Sequence, residues 1–264
     1  MGCAGFVGRV GGLAVALGIG VGLAAAPWVA SAQPPTSGSS TTGGANVSVS
    51  INGTQKVQKG TAYAVTAEGS TGSKAIAVGS GSAALVDGNY NTARVRGTGS
   101  LAQIAGGTNN TATVTGDGSV AYITGGANNT ATVTGNGSGA NAVNCQSCTV
   151  TVTGDGSGAG VGNGTNNTAT VTGDTSFAAA QNGDNNTATV AGNGSVSGAV
   201  GTHNTATVNG DSSVTTAVGV DNTATITGNN DQAIAAGTNN TATVTGDNLP
   251  PAIAIGTNVI ATQP

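Results

Sequence analysis

Charge and aromatic surface are nearly missing from this chain: of 264 residues, 6% are charged and 2% aromatic. Too few large side chains remain to fill the core of a conventional globular domain. Six lysines and arginines against ten acids leave a net charge of −4, which speaks against a nucleic-acid partner. There is a single histidine, His203. It stands where sister repeats carry Asn109, Asn166 or Asp221, so it reads as one more turn residue. Glu68 and Asp87 fall in different repeats, and no groove-forming cluster of Asp, Arg or Lys is written anywhere. The chain is therefore read as a non-enzyme that needs no cofactor.

Cysteine is almost as scarce. Cys3 lies in the leader, while Cys145 and Cys148 share the turn CQSC. In an exported protein that pair is expected to close a local disulfide. A zinc site would need two more ligands, and a thioredoxin-type motif would need a strand-to-helix setting.

Residues 1–32 have the plan of a signal peptide. Arg9 precedes the apolar run Val10 to Ala26, and Ala30-Ser31-Ala32 offers a cleavage site that places the mature start near Gln33. An uncleaved membrane anchor is the alternative, because the run approaches spanning length. The stretch GRVGGLAVALGIGVGLAAA resembles the leaders of mycobacterial secreted proteins, including the glycine-rich PGRS-like group. That resemblance implies export, stops at the leader, and is not matched downstream, where GGxGG-type repeats are missing. Residues 33–45, QPPTSGSSTTGGA, read as a disordered polar linker.

What the chain does contain is one phrase, NNTATVTG, written again and again. Aligned on the first Thr of TATVT, rows start at Lys74, Thr92, Thr111, Thr130, Thr149, Thr168, Thr187, Thr205, Thr223, Thr241 and Val259. The spacing is always 18 or 19. So strict a period belongs to stacked units that cannot bury their own faces alone. The expected fold is all-β: a parallel two-sheet β-solenoid of 18–19-residue coils over residues 74–264, with residues 46–73 as an N-terminal cap or degenerate coils. The body resembles β-solenoid repeat proteins in general. Disorder is the rival expectation, given the low-complexity composition.

Within a row the period is two. Ala112 and Val114 fall on one side and the threonines on the other, so the aliphatic side faces inward. A second strand follows with small inward pairs such as Ala121 and Ile123, or Ala178 and Ala180. Gly- and Asn-rich turns separate the two strands. Asn recurs just before the row start, and either an amide ladder or tolerance of left-handed backbone would account for it. Six positions after the row start, Asp117, Asn136, Asp155, Asp174, Asn193, Asp211, Asn229 and Asp247 form a column. Stacked carboxylates would suit calcium, but Asn interrupts nearly every pair, so the column is read without a metal.

Outward threonines are the candidate binding face. Complete rows are Thr111, Thr113 and Thr115; Thr130, Thr132 and Thr134; Thr149, Thr151 and Thr153; Thr168, Thr170 and Thr172; Thr223, Thr225 and Thr227; and Thr241, Thr243 and Thr245. The grid resembles the TxT arrays of solenoid antifreeze proteins, and Thr is also simply well suited to a solvent-facing strand. Row 187 ends in Ala191 and row 205 in Asn209, and row 92 carries Arg94 and Arg96.

Lys56, Lys59, Lys74, Arg94 and Arg96 hold all the positive charge beyond the leader, near the first rows; Pro250 and Pro251 are expected to interrupt the second strand of the last full row. Both features read as protection against strand pairing at the ends, and the basic end also suits an anionic partner. The reading is a secreted or cell-surface structural or adhesive repeat protein whose partner is a cell-envelope polymer or a host surface. A membrane enters only through an uncleaved leader. Ice binding by the threonine face is the alternative function.

Overall fold

The computed structural model describes residues 45–264. The leader at 1–32, the linker up to residue 44 and Cys3 lie outside the described residues. The compact unit that begins at residue 43 runs to Pro264, and its hydrophobic core lies wholly within it.

Twenty-four strands, numbered in chain order, make two sheets of 13 and 11 strands, and there is no helix among the described residues. From β4 (Lys74–Val78) to β24 (Ile260–Gln263), the even-numbered strands stack in parallel as the first sheet. From β3 (Tyr63–Thr66) to β23 (Ala252–Thr257), the odd-numbered strands stack in parallel as the second. The chain is thus a parallel two-sheet β-solenoid, each coil giving one strand to each sheet.

Register explains why one phrase is repeated. Thr111 pairs with Thr130, Thr130 with Thr149 and Thr149 with Thr168, with no offset. Identical residues therefore stand above one another about 4.8 Å apart. Facing inward, Ala112, Val114, Ala121 and Ile123 are all 0% exposed. None is larger than isoleucine, and stacking covers each from both neighbouring rows, so a thin core suffices without aromatic side chains.

Glycine is required at one corner column. Gly97, Gly116, Gly135, Gly154, Gly173 and Gly192 follow the first strand of successive rows with φ between 135° and 155°. A Cβ on each would run into the carbonyl oxygen of the glycine one row on.

The start of the rod departs from the repeat. β1 (Val47–Ile51) pairs antiparallel with β4 and with β2 (Thr54–Lys59), the turn between them being Asn52-Gly53 at φ 49° and 76°. The buried side of β1 is hydroxylic: Ser48 accepts the Ala64 N–H at 2.9 Å, and Ser50 accepts the Thr66 N–H at 3.1 Å. Polar atoms thus close the end of the core.

Two details correct the sequence reading at the far end. Thr241 pairs with Ile260, so the last row starts there and not at Val259, and the final step is 19 residues. Asn258 is accordingly a left-handed turn residue with φ 59°, beside Asn239. Pro250 and Pro251 do not interrupt the second strand. They precede β23, whose pairing begins at Ala233 with Ala252. Lacking N–H groups, they fit the turn and only delay the ladder.

Candidate functional site

The Asn just before the row start makes the amide ladder; the left-handed backbone expected as its alternative lies one residue earlier, and the ladder residues themselves do not adopt it. Left-handed backbone falls two residues before each row start: Asn109, Asn128, Asn166, Asn185, His203, Asp221 and Asn239 have φ between 54° and 59°. The next residue makes the ladder. Asn204 Nδ2 donates to Val200 O at 2.9 Å, Gly219 O at 2.7 Å and Asn186 Oδ1 at 3.2 Å. Its Oδ1 accepts the Asn222 N–H and the Asn222 amide, each at 3.1 Å. Asn186, Asn204, Asn222 and Asn240 are all 0% exposed, so each bond satisfies a group cut off from water.

Cys148 occupies that ladder position in its own row. Its N–H donates to Asn129 Oδ1 at 3.0 Å, and its sulfur accepts the Asn167 N–H at 3.3 Å. It is joined to Cys145 in a disulfide with the Cα atoms 5.9 Å apart. The covalent link stands where the other rows carry the amide bonds of Asn.

At the other corner the Asp/Asn column has a task of its own. Asp117 Oδ1 accepts the Thr98 N–H at 2.6 Å, Asp155 accepts the Asn136 N–H at 2.7 Å, and Asp174 accepts the Asp155 N–H at 2.8 Å. Asn136 does the same for Asp117 at 2.9 Å, which is why the two residue types interchange. No group of three or more His, Cys, Asp or Glu suited to a metal occurs among the described residues.

A second ladder beside it escaped the sequence reading. Ser119 Oγ donates to Gly135 O at 2.6 Å and accepts the Ser138 N–H at 3.1 Å, and the pattern runs from Ser100 to Ser213. The repeated serine of GDGS and GNGS was its signal.

His203 is exposed, with Nδ1 3.6 Å from Asp221 Oδ1 and Nε2 3.2 Å from Asn185 Nδ2. It is a member of the left-handed column. Nearby, a hydrogen bond from the Thr165 hydroxyl, seconded by the Thr165 N–H, holds the exposed Asp184 carboxyl below its ordinary range.

The outer face of the first sheet gathers every candidate threonine. The third of each complete row (Thr115, Thr134, Thr153, Thr172, Thr227, Thr245) is exposed, and the middle one is half-buried. Ala191 and Asn209 interrupt only the third column. The first two columns run through eight consecutive rows, from Thr111 and Thr113 to Thr241 and Thr243.

The second sheet's outer face is different, and was not anticipated. Leu101, Val120, Tyr122, Phe177, Val196, Val200 and Ile234 alternate with the inward residues, so these strands carry apolar residues on their outer side as well, beside polar ones such as Gln103 and Gln181. Val120 is 39% exposed and Ile253 49%. No protein-family model matches the chain, and no curated protein matches it.

Proposed function

We propose that the protein is a non-catalytic, exported structural element: a largely uncharged rod, about 50 Å long at the usual strand spacing, that acts as a spacer or adhesive at the cell surface. One observation carries this reading. The side chains with chemical potential, the corner Asn, Asp and Ser, are engaged in hydrogen bonds between rows. Their chemistry builds the rod. The leader supports export. A C-terminally tagged chain expressed in its native cells tests the compartment: the tag is expected in the medium or accessible to protease on intact cells, and recovery from the cytosol alone rejects the proposal.

Ice binding is a second reading, favoured by the unbroken pair of threonine columns. Hydroxyls and methyls repeating at about 6.7 Å by 4.8 Å would give ordered water a regular lattice. Thr132 lies outside the core, so Thr132→Lys should cost the fold no more than about 0.5 kcal/mol while placing a charge in mid-lattice. Wild-type protein is expected to inhibit ice recrystallisation and the variant to lose most of that effect. Failure of the intact protein to inhibit would end this reading.

A further inference from the structure

We infer that the outer face of the first sheet at the hairpin end is a docking surface for an anionic lipid bilayer. The reversed direction of β1 creates it. In register, Val57, Val49, Ile76 and Arg94 stand in one line across β2, β1, β4 and β6 (Thr92–Arg96). On one flank lie Lys59, Val47, Val78 and Arg96, and on the other Ile51 and Lys74. The result is an aliphatic island rimmed by four cations, roughly 400 Å² in all at ordinary strand spacing. Val57 is 37% exposed, and Lys59, Arg94 and Arg96 are exposed.

These cations have no acidic partner. Among the described residues the single ion pair is His203 with Asp221. Glu68 and Asp87 lie in the turns after β3 and β5 (Ala83–Val86), Glu68 against the Asn52-Gly53 turn, and neither forms an ion pair with these cations. Beyond Arg96 the chain has aspartates and no lysine or arginine. The rod is therefore electrically polar, and an anionic surface would draw the hairpin end in and push the rest away.

An island of valine and isoleucine argues for lipid over a soluble polyanion. A polyanion rewards the cations alone. A bilayer interface takes the phosphates on the rim and the aliphatic groups into the boundary below the headgroups. Solvent-facing strands elsewhere in this sheet carry Thr at the same places, so the aliphatic residues are not demanded by the sheet itself.

Vesicle co-sedimentation tests this independently of the compartment in which the protein works. Residues 33–264, which contain the whole compact unit, are mixed with vesicles of phosphatidylcholine alone or with equal parts phosphatidylglycerol. Binding is expected only with phosphatidylglycerol, and is expected to weaken as salt rises. Arg94→Thr with Arg96→Thr, which copies Thr113 and Thr115 of the next row, is expected to weaken it about 30-fold. Ile76→Thr is expected to weaken it about tenfold. Equal binding to both vesicle types, or full binding by the double variant, overturns the proposal. Tight binding to soluble dextran sulfate that Ile76→Thr leaves unchanged, without vesicle binding, reassigns the patch to a polyanion and equally overturns it.

Discussion

Gly154→Ala is expected to unfold the central coils, at a cost above about 4 kcal/mol. Gly154 has φ +140°, and a methyl there would enter the carbonyl group of Gly173 in the next row. That carbonyl is backbone in the middle of a ladder, so it cannot swing aside as a side chain would. Relief requires parting two rows, which breaks their shared strand pairs. Two residues on, Gly156 offers the control. It has φ +63°, and its added Cβ would meet nothing nearer than Thr175 Oγ1 at 3.9 Å. Equivalent positions already carry Thr175 and Ser212 at φ 55° and 56°. Gly156→Asn should therefore cost about 1 kcal/mol or less. Circular dichroism melts of both variants check the contrast, and similar melting temperatures would refute it.

Asn204→Ala is expected to cost about 3–5 kcal/mol by orphaning several buried groups at once. The Asn222 N–H loses its side-chain acceptor, and the carbonyls of Val200 and Gly219 lose the Asn204 amide as a donor. The surroundings offer no water, since Asn204 and both ladder neighbours are fully buried. In a stacked array such damage is local: coils beyond the lesion lose their covering neighbour and should open independently of those before it. Amide exchange checks this. Protection of residues 205–264 should drop while that of residues 92–185 persists, whereas a uniform drop would mean the rod opens as one unit. Thr207→Ala, on the outer face, serves as the near-neutral comparison.

Most of the coil was legible in the sequence because its geometry is periodic. Alternation in TATVT assigns Ala112 and Val114 to the core, and the fixed spacing dictates the register of neighbouring rows. What escaped were places where the local pattern is ambiguous. Serines such as Ser119 sit in a turn phrase that polar residues satisfy for many reasons, so their inter-row bonds leave no separate mark. Asn258-Val259 imitates the Asn-Thr that opens other rows, and one inserted residue shifts the alignment without altering composition. The outer face of the second sheet was overlooked because strands such as VAYIT are apolar on both sides, and attention to the inward pair hides the other. The threonine lattice was visible in advance. The basic aliphatic face was not, since it depends on β1 running backwards and bringing Val49 opposite Ile76.

Because every parallel pairing joins residues 18 to 20 positions apart in the chain, no strand waits for a distant partner. Contact order stays low relative to length, and the search that slows most sheet proteins is short. The opening hairpin can form first from purely local contacts and present a template, on which each later coil settles as soon as it emerges. A polypeptide threaded outward from its amino end could thus assemble vectorially, with little unpaired strand held in waiting.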